Sequence, residues 1–191
     1  MKTLKYLISC SLLIGGLNLV QAQDGATDSH SLAVTIPEVA LIDLESSTST
    51  SITLEVTAPT EAGEAATFPD PDTSIWMNYS SIVNGTEDSS RNVTVVVSNG
   101  TIPPGTKISL VAASDAGGGA GTMGTPTASI DLSTSAQNLV TDIGSAYTGS
   151  GVSAGHNLTY TLALSDDADA YSNLDANDST TLTVLYTLSD N

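Results

Sequence analysis

TTLTVLYTL, residues 180–188, alternates apolar side chains with threonine, and NLTYTLAL, residues 157–164, shows the same pattern. Successive side chains of a β-strand point to opposite faces of a sheet, so each stretch has one apolar face and one hydroxyl face. The apolar face packs into a core while the threonine face meets water. Both stretches therefore predict antiparallel strands of a half-buried sheet.

The rest of the chain repeats this strand signature between turn residues. No run after the N-terminus keeps the apolar spacing of an amphipathic helix over ten residues. The sequence thus predicts an all-β fold, a single Ig-like antiparallel β-sandwich of roughly nine strands. Further strands are expected at residues 31–36, 39–44, 52–56, 74–83, 91–98, 107–113, 128–132 and 138–143.

Glycine, proline and acidic residues mark the expected connections. Residues 58–72 predict a loop rich in proline and acid, and Asn84-Gly85 predicts a positive-φ turn that joins two strands in a hairpin. Residues 117–124 (GGGAGTMG) predict a mobile glycine-rich loop. This loop spells G-x-G-x-x-G, but Pro126 follows and no helix begins there, so a dinucleotide site is not predicted.

Residues 1–22 have the composition of a secretory signal peptide. Lys2 and Lys5 precede an apolar run too short to span a bilayer, and small residues precede a cleavage point after Ala22. Residues 23–30 predict a flexible leader, and residues 31–191 are assigned to the β-sandwich domain. The expected location is extracellular or on the cell surface, with the periplasm as the alternative, and no membrane span is predicted.

Cys10 is the only cysteine and lies within the predicted signal, so the exported chain is expected to form no disulfide. The stretch Leu7-Ile8-Ser9-Cys10 also resembles a lipobox, in which case Cys10 would carry a lipid anchor. The apolar run continues for ten residues past Cys10, whereas a lipoprotein signal lies almost entirely before its cysteine. Cleavage after Ala22 is therefore the favoured interpretation.

The chain is strongly acidic. Its formal net charge is −17, and loss of the signal would leave two basic against 21 acidic residues, a charge of −19. Such a surface repels phosphate backbones and anionic lipid heads, which argues against nucleic-acid binding and electrostatic membrane docking. Solubility outside the cell explains the acidity, and calcium is the natural alternative partner.

Candidate oxygen ligands for calcium concentrate between the last two predicted strands. Carboxylates on a loop suit Ca²⁺, but the spacing lacks the glycine and glutamate of an EF-hand loop, and acidic turns are common on exported proteins. No cofactor is therefore predicted, with Ca²⁺ kept as the alternative. The candidate ligands are Asp166, Asp167, Asp169, Asp175, Asn177 and Asp178.

A pattern typical of serine hydrolases occurs at residues 151–155, where Gly-Val-Ser-Ala-Gly matches G-x-S-x-G and His156 follows. A nucleophile elbow needs a strand before the serine and a helix after it. Here a Gly/Ser loop leads directly into a predicted strand. The protein is therefore expected not to be an enzyme.

Trp76 and Tyr79 are the candidate ligand-binding residues, since aromatic rings on a sheet can stack on sugars. Their odd separation places them on opposite faces of a regular strand, and a lone tryptophan in a sandwich favours the core. A carbohydrate-binding or other ligand-binding module, with or without calcium, is the alternative function.

The C-terminal stretch, with its Gly-rich loop, LTYTLAL, acidic loop and closing TTLTVLYTLSDN, resembles bacterial fimbrial, spore-coat-U-like and WxL-type surface subunits. The resemblance implies a non-enzymatic structural or adhesive protein whose partners are further copies of itself, other surface proteins or glycans. It also implies assembly by donation of an N-terminal strand, for which Leu32, Val34 and Ile36 have the required alternation. Pairing of this strand within its own chain is the alternative.

Overall fold

The computed structural model describes residues 25–191, and the predicted signal peptide with Cys10 lies outside them. Two units divide the chain, Met1–Thr35 and Ile36–Asn191. Residues 25–35 contain no strand or helix, and every side chain among them is exposed. All the secondary structure of the described residues lies in the second unit.

Nine antiparallel strands build this second unit, which confirms the all-β class and the expected number of strands. One turn of 3₁₀-helix, Tyr171–Asn173, lies between the last two strands, and residues 25–191 contain no α-helix. No helix in these residues is long and apolar enough to cross a membrane. The strands are β1 (Val39–Ser46), β2 (Asp72–Ile82), β3 (Arg91–Asn99), β4 (Thr106–Ala112), β5 (Ala120–Pro126), β6 (Ile130–Asp131), β7 (Gln137–Tyr147), β8 (His156–Leu164) and β9 (Thr183–Asp190).

A single hydrogen-bonded sheet contains all nine strands in the order β6-β4-β8-β2-β7-β3-β9, with β1 added to β2 and β5 added to β7. β2 pairs with β1 along one edge, and along the other it pairs first with β8 and then, at Ser80 and Ser81, with β7. This short β2–β7 pairing joins two halves, β1-β2-β8-β4-β6 and β5-β7-β3-β9. The sheet is sandwich-like because the apolar faces of the two halves pack together.

The core lies between these two faces. The hydroxyls of Tyr160 on β8 and Tyr186 on β9 hydrogen bond across it, and burial raises the pKa of both phenols, so both stay protonated. The alternation expected for β8 and β9 is confirmed. The buried apolar side chains of the core are Ile75, Met77 and Tyr79 on β2, Val93, Val95 and Val97 on β3, Leu110 and Ala112 on β4, Leu132 after β6, Leu139, Val140 and Ile143 on β7, Leu158 and Tyr160 on β8, and Tyr186 on β9.

Two of the predicted strands do not form within residues 25–191. Residues 31–36 lie outside the sheet, and residues 52–56 alternate between half-buried and exposed side chains without joining it. Ile52 and Leu54 still pack against the core. Alternation determines which side chains are buried, but a strand also needs a partner edge, and neither segment has one within the described residues.

The prediction of a mobile loop at residues 117–124 is wrong in its second half, because β5 begins at Ala120. The backbones here run very close to the end of β7. A Cβ on Gly119 would lie 1.6 Å from the carbonyl oxygen of Tyr147, and a Cβ on Gly121 would lie 2.2 Å from that of Ser145. The glycines of this run allow two backbones to approach closely. From the sequence alone, the same glycines predict a flexible loop.

The prediction of a hairpin at Asn84-Gly85 is also wrong. A turn does form, in which the Asn84 carbonyl accepts hydrogen bonds from the N–H groups of Glu87 and Asp88, but Gly85 has no positive φ. β2 and β3 do not pair, since β2 pairs with β1, β7 and β8, while β3 pairs with β7 and β9. The turn therefore carries the chain from one half of the sheet to the other.

Candidate functional site

The predicted assembly residues are open to solvent. Leu32, Val34 and Ile36 expose 81, 77 and 74% of their surfaces, and they alternate with Ala33 and Thr35. Isolated apolar side chains are normal on a surface, whereas an alternating series of three is not. The segment therefore has the side-chain pattern of a strand and remains available for pairing.

Three strands of seven or more residues, β1, β5 and β9, have a neighbour on one side only, and β5 contains glycine and ends at Pro126. β1 contains Asp43 and Glu45 and follows Pro37, and charges and proline on an edge discourage the addition of another strand. β9 contains no proline or glycine and no charge before Asp190, and its Leu185 is 50% exposed. β9 is therefore the least protected of these three edges.

Arg91 fixes the chain at the start of β1, a role that its neighbours in the sequence do not predict. Its side chain is 2% exposed, its Nε donates to Asp190 at 2.8 Å, and its Nη2 donates to Glu38. Its Nη1 donates to the carbonyl oxygens of Val39 and Ile82. The guanidinium thus ties the beginning of β1 to the ends of β2 and β9. The only sequence feature that points to this role is a basic residue at the start of an apolar run in a chain with few cations.

Trp76 and Tyr79 lie on opposite faces of β2, as the sequence predicts. Tyr79 is 3% exposed and faces the core, beside the inward positions of Ile75 and Met77. Trp76 lies on the outer face and is half-buried, so its expected place in the core is wrong. The inward positions of β2 are the odd-numbered ones, and position 76 falls between them. The two rings consequently form no common platform.

A buried polar cluster lies where β2, β5 and β8 meet. The Tyr79 hydroxyl lies 2.9 Å from His156 Nε2 and also contacts the carbonyl oxygen of Met123. His156 Nδ1 lies 2.8 Å from the carbonyl oxygen of Ala113. Because a carbonyl can only accept, Nδ1 donates to Ala113 and the Tyr79 hydroxyl donates to Met123, with Nε2 of the neutral ring as the second acceptor of the same hydroxyl hydrogen.

Burial sets the charge state of this cluster. His156 is fully buried, and burial lowers its pKa, opposed by the Ala113 carbonyl and the Asp115 carboxylate. Burial likewise raises the pKa of the Tyr79 phenol, and Asp115 raises it further. Both rings are therefore uncharged at neutral pH.

The G-x-S-x-G stretch is a turn between β7 and β8. Ser153 has a φ of 65° and lies three residues before β8, with no helix after it. Both ring nitrogens of His156 are already engaged, so this histidine is not placed to act as a base for Ser153. A Cβ on Gly155 would lie 2.2 Å from the carbonyl oxygen of Met77, so that glycine has a packing explanation.

The structure does not gather the predicted calcium residues into a site. Within residues 25–191, no three His, Cys, Asp or Glu side chains lie close enough together to hold a metal ion. Asp166 is paired with Lys107 at 2.7 Å, and Asp175 accepts the side-chain amide of Asn177 at 3.0 Å. The residues concerned are Asp166, Asp167, Asp169, Asp175, Asn177 and Asp178.

Comparison of the chain with protein-family models, with curated proteins and with solved structures finds no match. The candidate surfaces are therefore interpreted from their own chemistry.

Proposed function

We propose that this protein is an exported, non-enzymatic β-sandwich subunit with a structural or adhesive role at a cell surface or in an extracellular matrix. Its subunits assemble when residues 31–36 of one copy add as a strand to the sheet of another. Main-chain hydrogen bonds supply the affinity in this mode of recognition, and alternate side chains supply the register.

One observation carries the proposal, namely the exposure of Leu32, Val34 and Ile36, which alternate with small or polar residues in a segment that pairs with no strand of residues 25–191. The uncharged edge of β9 supports it, because an unprotected edge strand presents a row of free backbone donors and acceptors. Neither the segment nor β9 before Asp190 carries a charge, so pairing avoids direct repulsion between two acidic chains.

Light scattering behind size-exclusion chromatography tests the proposal on protein purified after expression of the full chain. The wild-type protein should form oligomers whose mass rises with concentration up to about 0.1 mM. A Leu32→Asp, Val34→Asp double variant should remain monomeric, because charges would replace the side chains that pack on the acceptor.

The matched control is an Ala33→Asp, Thr35→Asp double variant, which adds the same charge to the other side of the same segment. It should retain most of the assembly, since these side chains face away from the acceptor sheet. A wild-type protein that is monomeric at every concentration would contradict the proposal, as would two double variants that lose assembly equally.

A further inference from the structure

Three exposed apolar side chains and the only tryptophan gather on the outer face of the sheet. Leu41, Trp76, Tyr147 and Val152 are called here the outer patch. Their gathering follows from the strand register, because residues paired across neighbouring strands point to the same face. Ser80 on β2 is paired with Leu41 on one side and with Tyr147 on the other.

Trp76 lies on the same face, four residues along β2 from Ser80. This separation corresponds to about 13 Å along a strand. Glu45 and Asn157 flank Trp76 on the neighbouring strands. Asn157 donates to the carbonyl oxygens of Thr73 and Ile75, which ties β8 to β2 beside the indole ring.

The loop between β7 and β8 is held against the outer face of β2 at Asn78. Asn78 lies on the outer face halfway between Trp76 and Ser80, is 5% exposed, and donates to the carbonyl oxygen of Gly151 at 3.0 Å. This hydrogen bond holds the loop against the sheet, and Val152 follows at the surface with 44% exposure. The outer patch is therefore built on β1, β2, β7 and a loop fixed to them.

The charges around the outer patch determine what it can bind. Asp43 and Glu45 lie on the same face of β1. The two basic side chains of residues 25–191, Arg91 and Lys107, are both ion-paired. An anionic ligand would therefore meet repulsion without a free cation to offset it.

We infer that the outer patch binds an uncharged glycan chain, a function separate from assembly through residues 31–36. A pyranose ring has an apolar C–H face that stacks on aromatic rings and a rim of hydroxyls that donate to carboxylates such as those of Asp43 and Glu45. Trp76 on β2 and Tyr147 on the neighbouring β7 are offset by roughly 13 Å along the strand direction, so they would contact sugars a few units apart on an extended chain. Four side chains interleaved with acidic residues are too few for a stable protein interface, which buries roughly 800 Å² on each partner.

The experiment uses the intrinsic fluorescence of Trp76, since no other tryptophan contributes to the signal. Protein purified after expression of the full chain is titrated with cellohexaose, maltohexaose and chitohexaose, with hexagalacturonate as the anionic comparison. At least one neutral oligosaccharide should change the emission saturably, with a dissociation constant of about 1 mM or below. The galacturonate should give no change.

Two tyrosine variants test the location of the binding site. Tyr147→Ala should weaken binding about tenfold, whereas Tyr171→Ala, which removes a similarly exposed tyrosine from the 3₁₀-helix, should leave binding unchanged. Trp76→Ala removes the fluorescent residue, so its binding is measured by calorimetry, and we expect no binding. Circular dichroism of each variant verifies the fold.

Three results would overturn the inference. They are the absence of binding by every neutral oligosaccharide at about 10 mM, equal binding by wild-type protein and folded Tyr147→Ala, and self-association that Tyr147→Ala removes. The last result would assign the outer patch to a second copy of the chain. Because assembly through residues 31–36 is measured by light scattering with other variants, its failure is separable from failure of glycan binding.

Discussion

Replacement of Arg91 by methionine should destabilise the protein strongly. Methionine keeps most of the apolar stem and loses the guanidinium. The N–H groups of the guanidinium donate hydrogen bonds to Glu38, Asp190 and two backbone carbonyls. The guanidinium is 2% exposed, so water cannot easily take its place beside the carbonyls of Val39 and Ile82.

The expected loss follows from the exposure of each partner. Glu38 and Asp190 are 50 and 47% exposed, so water can solvate both carboxylates after the substitution, and their contribution is small. The two carbonyl oxygens lose a charged donor in a buried place, at about 1–3 kcal/mol each. The free energy of unfolding should therefore fall by about 4 kcal/mol, within the range measured when one member of a buried ion pair is removed.

Urea unfolding followed by Trp76 fluorescence measures this loss. With a slope of about 2 kcal/mol per molar urea, the midpoint should fall by roughly 2 M. Glu38→Gln is the control, since it removes a half-exposed charge and should cost less than about 1 kcal/mol. If Arg91→Met unfolds within about 1 kcal/mol of the wild type, the guanidinium does not hold the strand ends as described.

Two further predictions concern glycine packing and pH. Gly119→Ala should lower the free energy of unfolding by about 3 kcal/mol because its Cβ would overlap the Tyr147 carbonyl, whereas Gly85→Ala, with open space around it, should be nearly neutral in the same urea assay. His156 has a pKa below its ordinary value of 6.5, so the unfolded chain takes up a proton first and stability should fall as pH drops below about 6.5, until the folded pKa is reached. His156→Gln should reduce the difference between the free energies of unfolding at pH 7 and pH 5. If this difference is the same in the variant and the wild type, the buried ring of His156 is not held neutral as described.

Strand positions were the most predictable part of the fold, because they depend on local alternation. The predicted centres of β1, β2, β3, β4, β6, β7 and β8 lie within two residues of the observed ones, and the predicted buried faces of β8 and β9 are confirmed. Residues 52–56 show the limit of this signal. Their side chains alternate in burial as a strand would, but pairing depends on a neighbouring edge that no local pattern specifies.

The candidate sites were less predictable because they depend on distant residues. Arg91 draws its partners from positions 38, 39, 82 and 190, so its burial is invisible in the residues around it. Tyr147 comes beside Ser80 only through the short β2–β7 pairing that links the two halves of the sheet. Parity along β2 did separate Trp76 from Tyr79, since it is a property of the strand itself.

The position of β9 affects when this fold can form. β9 pairs with β3, some 90 residues earlier, and it supplies both the Tyr186 hydroxyl in the core and the Asp190 carboxylate beside Arg91. A chain that lengthens from its N-terminus therefore cannot close its core until β9 has been made. Such long-range closure favours slow folding, and until it occurs the β3 edge is unpaired and its valines lack their cross-strand neighbours on β9. The interval before β9 arrives is thus the period in which this chain is most exposed to aggregation and to holding by chaperones.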